Sequence, residues 1–283
     1  MDGTAAAPAA GTVLNALATG TGSAFAIDEY VTAEVSLSPE SGVTGTVAGK
    51  VEADTRLIER CVELVTDQYG NGEGGTVHTE SDVPVASGLK SSSAAANAAV
   101  MAALSALDVD GVPREEAARL GVEAAREVGV TVTGAFDDAS ASMLGGVTVT
   151  DNERDELLAR ETREWDVLVW TPPERAYSAG ADVDRCRRVG AVAELVADLA
   201  LDGDFERAMT VNGLAFCAAL GFSPDPLVEA LPEAAGASLS GTGPSFVAVG
   251  DRDSLAAVQP RWDERPGTTW LTTTQSDGVR LVE

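Results

Sequence analysis

The segment from residue 76 to residue 107 constrains the fold of this chain more than any other part of the sequence. Residues 76–81 alternate in polarity like a short strand, and Gly88-Leu89-Lys90-Ser91-Ser92-Ser93-Ala94 follows after a loop that carries Pro84. From residue 91 to residue 107 alanine dominates and no charged side chain occurs, which predicts a buried helix. A strand, a glycine-rich loop and a helix in this order are typical of a phosphate-binding site.

The loop before this helix offers several groups that bind anions. Glycine lets the backbone approach a ligand closely, serine hydroxyls donate hydrogen bonds, and the start of a helix directs free amides towards negative charge. Lys90 adds a full positive charge. The alternative is a flexible linker that leads into a core helix. The two common nucleotide motifs are absent, because GxxxxGK[ST] has no match and Gly20-Thr21-Gly22 lacks the third glycine of GxGxxG.

The remaining pattern predicts an α+β fold with two lobes. Apolar runs at residues 23–27 and 31–37, separated by two acidic residues, predict a hairpin near the N-terminus. Predicted strands and helices are mixed along the rest of the chain, and a charge-dense stretch after residue 150 predicts a connection between lobes. We therefore predict an N-terminal lobe over residues 1–150 that holds the phosphate loop, a C-terminal lobe over residues 151–283, and a ligand cleft between them.

The charge of the chain excludes one class of partner and indicates a habitat. A net charge of -26, from 45 acidic and 19 basic residues, argues against nucleic acid, which rewards clustered lysine and arginine. Lysine occurs only at Lys50 and Lys90, so arginine supplies nearly all of the positive charge. An acidic surface almost free of lysine resembles proteins of extreme halophiles, in which molar salt screens repulsion over about 3 Å. The alternative is an acidic protein from an ordinary habitat.

The cysteines and the hydropathy pattern favour a cytoplasmic protein. Cys61, Cys186 and Cys217 are far apart and form no CxxC pair, so we predict neither a disulfide framework nor a zinc site, and a reducing compartment. We also expect no signal peptide and no membrane span, since no charged start leads into an apolar core and no strongly apolar run is long enough.

Two motifs resemble those of the GHMP kinase superfamily, which is named for galactokinase and the homoserine, mevalonate and phosphomevalonate kinases. Residues 84–95 are similar to the second motif of the superfamily, roughly PxxxGLxSSAA, and Ser240-Gly241-Thr242-Gly243-Pro244-Ser245 resembles its third, a glycine-rich turn. The resemblance implies the GHMP kinase fold, with ATP and Mg²⁺ as the reaction's cofactors. It implies nucleotide binding by Pro84, Val85, Ala86, Ser87, Gly88, Leu89, Lys90, Ser91, Ser92, Ser93 and Ala94.

Within this superfamily the chain resembles the archaeal-type shikimate kinases over nearly its whole length. The resemblance rests on the opening residues 7–27, on GLKSSSAAANA from residue 88 and on TGAFDDA from residue 133. It implies ATP-dependent phosphorylation of the shikimate 3-hydroxyl in aromatic amino-acid biosynthesis. Two alternatives stay open: another alcohol kinase of the superfamily, such as a homoserine or mevalonate kinase, and a catalytically silent relative that only binds ligands.

The same resemblance implies roles for individual side chains. Asp137 matches the catalytic aspartate of the mevalonate kinase branch, and a carboxylate beside the acceptor hydroxyl accepts or orients its proton. Glu127 and Ser92 are the predicted Mg²⁺ ligands, although most acidic side chains of such a chain are solvated surface groups. Asp138 is predicted to cap a helix, and the Lys90 loop is predicted to be accessible to solvent. The first motif departs from the superfamily, because Pro8-Ala9-Ala10 lacks the usual basic residue.

The composition predicts that salt stabilises the folded chain. We expect the thermal midpoint to rise from low salt to molar potassium chloride, since salt screens the repulsion among the acidic groups of the compact state. Thermal melts across a salt series measure this. A midpoint that stays constant or falls over the series would contradict the halophilic interpretation.

Overall fold

The computed structural model describes residues 1–39, 42–50, 52–84, 86–174 and 180–282. These residues form a seven-stranded sheet, a four-stranded sheet and nine helices. The strands are β1 Asp2–Leu14, β2 Thr21–Ser38, β3 Val43–Val47, β4 Gly74–Ser81, β5 Val147–Asp151, β6 Glu156–Glu161, β7 Asp166–Thr171, β8 Gly236–Leu239, β9 Phe246–Gly250, β10 Thr268–Thr273 and β11 Arg280–Leu281. The helices are α1 Arg56–Tyr69, α2 Ser91–Ala106, α3 Arg114–Glu127, α4 Phe136–Leu144, α5 Val183–Arg187, α6 Gly190–Leu201, α7 Phe205–Leu220, α8 Asp225–Ala230 and α9 Arg252–Asp263.

The larger sheet is built around two long antiparallel strands, β1 and β2. Its order is β11-β1-β2-β4-β3, and β5 pairs with both β2 and β6. The predicted hairpin within residues 23–37 is wrong, because both apolar runs lie on β2 and the hairpin partner is β1. The acidic pair lies where β2 changes its neighbour, from β5 at residues 21–25 to β4 at residues 31–38. A change of partner, and not a turn, therefore interrupts the apolar pattern.

Strand β1 is rich in alanine, a residue with low strand propensity, and its packing explains why it is nevertheless a strand. Helix α2 lies against β1, and a Cβ atom at Gly3 would clash with the Ala102 carbonyl oxygen of α2. Small side chains on both elements thus allow a close approach of helix and sheet. Pro8 is accommodated at an irregularity in the register between β1 and β2.

Three hydrophobic cores hold these layers together. The first lies between the larger sheet and helices α1 to α4, and it buries the alanine face of α2. The second lies between the two sheets, where the Phe25 and Trp165 rings meet edge to face at 5.7 Å and Phe205 packs on the other side of Trp165. The third joins the smaller sheet, of order β10-β7-β9-β8, to α7, α8 and α9. All three cysteines are free and buried.

The boundary predicted after residue 150 stays a prediction. The smaller sheet consists of strands that follow residue 151, whereas β6 and β11, which also follow it, pair with strands of the larger sheet. In the described part of the chain, no helix has both the length and the apolar character needed to cross a membrane.

Candidate active site

A cavity of about 690 Å³ lies where the start of α2, the start of α4 and the turn between β8 and β9 meet. One wall is apolar and is formed by Val31, Val47, Leu57 and Ile58 of β2, β3 and α1. The end at the starts of α2 and α4 is polar and is lined by Lys90, Ser91, Ser92, Ser93, Asp137, Asp138, Gly241 and Thr242, and the charged residues Glu52, Asp54 and Arg56 also line the cavity. Lys50, the second lysine of the sequence, also lines the cavity. An amphipathic molecule with an anionic end fits this distribution of side chains.

The loop before α2 is held by the turn between β8 and β9. Gly88 has a φ of +86°, and a Cβ atom there would clash with the Ser240 carbonyl oxygen. The Ser240 hydroxyl donates to the Gly88 carbonyl at 2.8 Å, and the Ser245 amide donates to the Ser87 carbonyl at 3.1 Å. Only glycine satisfies both the left-handed backbone and this close contact. The loop is therefore fixed by backbone groups that lie about 150 residues away in the sequence.

The N-terminus of α2 points its unused amides into the cavity. Lys90 precedes the helix in a left-handed conformation with φ 62°, and no side chain caps the helix. The first intrahelical bond runs from the Ala94 amide to the Lys90 carbonyl. The amides of Ser91, Ser92 and Ser93 therefore precede the hydrogen-bonded turns, at the positive end of the helix dipole. This is the arrangement that binds phosphate groups at helix N-termini.

Lys90 and Asp138 form a largely buried ion pair, and one prediction is wrong here. The Lys90 Nζ atom lies 2.6 Å from Asp138 Oδ1, and their side chains are 8% and 16% exposed. Asp138 pairs with an ammonium group and does not cap a helix, whereas the loop itself is partly accessible to solvent, with Ser92 exposed and Gly88 half-buried. The pKa of Asp138 is raised to about 7: burial contributes most, the neighbouring Asp137 also raises it, and Lys90 acts in the opposite direction.

Asp137 lies in the first turn of α4 with its side chain in the cavity wall. The residue is 4% exposed. Asn152 binds it twice: the amide nitrogen Nδ2 donates to Asp137 Oδ1 at 2.7 Å, and Oδ1 of Asn152 accepts from the Asp137 backbone amide at 3.0 Å. On the other side a Cβ atom at Gly22 would lie only 2.5 Å from Asp137 Oδ2. The carboxylate is therefore confined between a bound amide and a glycine.

The end of β1 connects to the glycine turn through buried polar side chains. The Gly241 amide donates to Thr12 Oγ1 at 2.7 Å, and Asn15 Nδ2 donates to the Gly241 carbonyl at 2.9 Å. Asn15 is itself held by Asn212, whose Oδ1 accepts from the Asn15 amide. A Cβ atom at Gly241 would lie 3.1 Å from Lys90 Nζ. The turn thus fixes both the loop and the lysine that the loop carries.

Comparisons with known proteins place the chain in a family. Residues 56–146 match the family model described as GHMP kinases N terminal domain. The chain is 67% identical to shikimate kinase from Halobacterium salinarum over the full length of both chains. It is 49% identical to shikimate kinase from Methanosarcina mazei, over 93% of this chain and 90% of the relative. The chain belongs to the shikimate kinase family of GHMP kinases.

Solved structures of other GHMP kinases share the fold of this family member. Homoserine kinase from Cytophaga hutchinsonii superposes with a TM-score of 0.79 at 16% identity, covering 99% of this chain and 97% of that one. Mevalonate kinase from Methanococcus jannaschii gives 0.78 at 14% identity, covering 96% and 98%. The predicted GHMP kinase fold and the predicted membership of the shikimate kinase family are confirmed.

The structure brings most of the predicted phosphate-binding residues of this shikimate kinase family member to one cavity. The residues that line it are Ala86, Gly88, Lys90, Ser91, Ser92 and Ser93. Leu89 and Ala94 are buried in the cores, and the Ser87 hydroxyl donates to the Pro84 carbonyl. Val85 lies outside the described residues.

Of the predicted metal ligands, Ser92 lines the cavity and Glu127 contacts a different partner. Glu127 ends α3, and its carboxylate accepts from the Arg60 side chain. No cluster of three or more histidine, cysteine, aspartate or glutamate side chains that suits a metal occurs among the described residues. The role of Glu127 as a metal ligand therefore stays a prediction. Asp138, which was predicted to cap a helix, is an acidic side chain that does line the cavity.

Three buried polar residues of the site were missed by the sequence analysis: Thr12 and Asn15, which bind Gly241, and Asn152, which binds Asp137. They lie in or directly after strands, without a repeated pattern that would distinguish them from ordinary loop residues. Their shared signal is position, since each lies near the end of a strand of the larger sheet. These residues can be recognised as neighbours only when the order of the strands in the sheet is known.

The Asp138 carboxyl predicts a pH dependence of stability. The folded chain keeps its proton up to about pH 7, whereas an ordinary aspartate loses it near 3.8. Because the folded state binds more protons in this window, the free energy of unfolding falls as the pH rises from about 4 to about 7. In Asp138→Asn this part of the decline should vanish, as measured by denaturant unfolding at fixed salt across the window.

Asp54→Asn is the matched control for this change. Asp54 is an exposed carboxylate whose pKa the Arg56 side chain lowers, so its removal should leave the decline between pH 4 and 7 in place. Equal slopes in the parent and in Asp138→Asn would contradict the assignment.

Proposed function

We propose that this chain transfers the γ-phosphoryl group of ATP to the 3-hydroxyl of shikimate. The observation that carries the proposal is one cavity that joins an uncapped helix N-terminus and Lys90 to the buried carboxylate of Asp137. The first two groups bind phosphate, and the third accepts a proton from an alcohol. The identity of the alcohol is inferred from the family, since the relatives from Halobacterium and Methanosarcina are named shikimate kinase.

In the proposed orientation of ATP, the triphosphate lies at the start of α2. The amides and hydroxyls of residues 91–93 and the Lys90 ammonium would bind the β- and γ-phosphates. The adenine would then lie towards the apolar wall, against side chains such as Val47 and Leu57. Lys90 is paired with Asp138, so a phosphate oxygen would join an existing charge pair.

The oxygen donors at the polar end fit Mg²⁺. This ion prefers hard oxygen ligands and is commonly bound by one or two carboxylates together with substrate phosphates, so a cluster of three protein ligands is not required. The Ser92 hydroxyl and the Asp138 carboxylate are the groups at this end that would hold it. Glu127 would have to leave Arg60 to reach it. When bound, the ion neutralises negative charge on the transferred phosphoryl group.

Asp137 is the proposed proton acceptor. The acceptor hydroxyl oxygen forms a bond to the γ-phosphorus, the bond from that phosphorus to the ADP oxygen breaks, and the hydroxyl proton passes to the Asp137 carboxylate. Asn152 and Gly22 restrict the rotation of this carboxylate, which lines the same cavity as the phosphate-binding groups. Positioning and charge neutralisation supply most of the rate in this reaction class.

The cavity carries positive charge where the proposed phosphates would lie. Both lysines of an otherwise acidic chain line the cavity, together with acidic residues, and Lys90 lies at the start of α2. The three free, buried cysteines support the further proposal that the reaction takes place in a reducing cytoplasm.

A panel of alcohols tests the substrate. With ATP, Mg²⁺ and molar salt, we expect turnover with shikimate and none with homoserine or mevalonate, because the family resemblance extends over the full chain. A coupled assay of ADP release measures it. Preference for another alcohol of the panel would reject the substrate, and binding of ATP without any turnover would favour the silent relative.

Asp137→Asn tests the proton acceptor. The change is nearly isosteric, so we expect the fold and the ATP affinity to survive while turnover falls by about a hundredfold or more. Turnover at saturating substrates, nucleotide affinity and the melting midpoint should be measured together. Asp138→Asn is the adjacent comparison, and its main effect should be on nucleotide affinity, since it removes the partner of Lys90. If Asp138→Asn instead lowers turnover and Asp137→Asn lowers mainly the nucleotide affinity, the proton acceptor is Asp138.

A further inference from the structure

The turn between β5 and β6 carries a buried side chain that contacts the proposed catalytic carboxylate directly. Asn152 is 1% exposed and lies 15 residues after Asp137 in the sequence. Its side chain donates to Asp137 Oδ1 and accepts from the Asp137 backbone amide, so one amide group fixes both the helix start and the carboxylate. Helix α4 has no side-chain cap of its own, and Asn152 supplies one from another element.

The orientation of this amide is determined by its other contacts. Thr150 Oγ1 donates to Asn152 Oδ1 at 2.8 Å, which gives that oxygen a second donor besides the Asp137 amide. An oxygen that accepts from two donors leaves the nitrogen of the same side chain to face the carboxylate. The backbone of Asn152 is also held, because its amide donates to the Gly20 carbonyl and its carbonyl accepts from Arg126.

Gly22 confines the carboxylate from the opposite side. Gly22 lies on β2 and pairs with Thr150 of β5, so the two strands place the glycine and the asparagine around the same side chain. A Cβ atom at Gly22 would lie within 2.5 to 2.7 Å of three atoms of Asp137. The glycine and the asparagine therefore restrict the rotation of a carboxylate that lines the cavity.

We infer that Asn152 is a positioning residue that holds the Asp137 carboxylate in the geometry for proton acceptance, with Gly22 as the opposing wall. The inference rests on the proposed function of Asp137. A neutral amide fixes the carboxylate without neutralising its charge, and the first motif provides no basic residue at Pro8-Ala9-Ala10 that would do so. Displacement of a reacting group by about 1 Å is sufficient to reduce turnover by about a hundredfold.

Asn152→Ala is the test, with Asn97→Ala as the matched control. Asn97 is also a fully buried amide that holds α4, but its Nδ2 donates to the Ala139 carbonyl and it does not contact the carboxylate. We expect Asn152→Ala to lower kcat by about 10- to 100-fold with an unchanged KM for ATP. Asn97→Ala should lower the melting midpoint by a similar amount and keep kcat. Equal kcat in both variants, at the parent value or equally reduced, would overturn the inference.

A second background separates this inference from the proposed function. In Asp137→Asn, the further change Asn152→Ala should add no loss of kcat, since the group that it positions is gone. If Asn152→Ala lowers kcat in Asp137→Asn by the same factor as in the parent, the role of Asn152 is purely structural and the inference is overturned. If Asp137→Asn turns over like the parent, the proposed proton acceptor fails; if Asp137→Asn is impaired while Asn152→Ala is fully active, only the positioning role fails.

Asn152→Asp covers the case in which the alanine variant does not fold. This change keeps the side-chain shape and the oxygen that accepts from Thr150 and from the Asp137 amide, and it replaces the donor by a second carboxylate. Two carboxylates in contact repel each other or share a proton, so kcat should fall at unchanged ATP affinity. Full turnover in Asn152→Asp would overturn the inference.

Discussion

The contact between the phosphate loop and the glycine turn of residues 240–245 is the constraint on which the site depends. It is made largely by backbone groups, because Gly88 meets Ser240 and Gly241 lies beside Lys90 with no side chain between. Any Cβ atom at these points would separate the two segments. The turn follows a strand of the smaller sheet and the loop follows a strand of the larger sheet, so one contact joins the two halves of the fold at the polar end of the cavity.

The same contact explains why a charged pair can be buried there. An isolated ammonium or carboxylate group is costly to remove from water, and the cost is offset only by a close partner in good geometry. Lys90 has that partner in Asp138, and the loop that carries Lys90 is already fixed by the turn, so little side-chain freedom is lost when the pair forms. The raised pKa of Asp138 indicates that desolvation still exceeds the attraction. A metal ion beside Asp138 would stabilise its charged form, because a nearby cation lowers the pKa of a carboxyl group.

The features of the fold and the site that could be predicted from the sequence are those encoded by residues close together in the chain. The loop and α2 were predictable because glycine, serine and an uninterrupted alanine run are consecutive, and the motif that contains Asp137 indicated that this residue lies at the cavity, whereas its catalytic role stays a prediction. Strands β1 and β2 were not predictable in this way. The alanine-rich β1 is a strand because α2 packs closely against it, and β2 continues through its acidic pair because it changes its partner strand there. Asp138 was assigned a cap because a carboxylate near a helix start usually has that role, whereas the tertiary position of Lys90 decides it here.

The distribution of the two kinds of basic residue follows from the same physics. Surface arginines form forked pairs with single carboxylates, as Arg56 does with Asp54 and Arg265 with Glu229, and the planar guanidinium suits that geometry. A phosphate in a tight loop requires a compact charge on a flexible stem, which lysine supplies. In a chain in which arginine supplies almost all of the positive charge, the two lysines line one cavity. Arginine thus pairs with carboxylates on the surface, while lysine occurs beside the cavity in which the phosphates are proposed to bind.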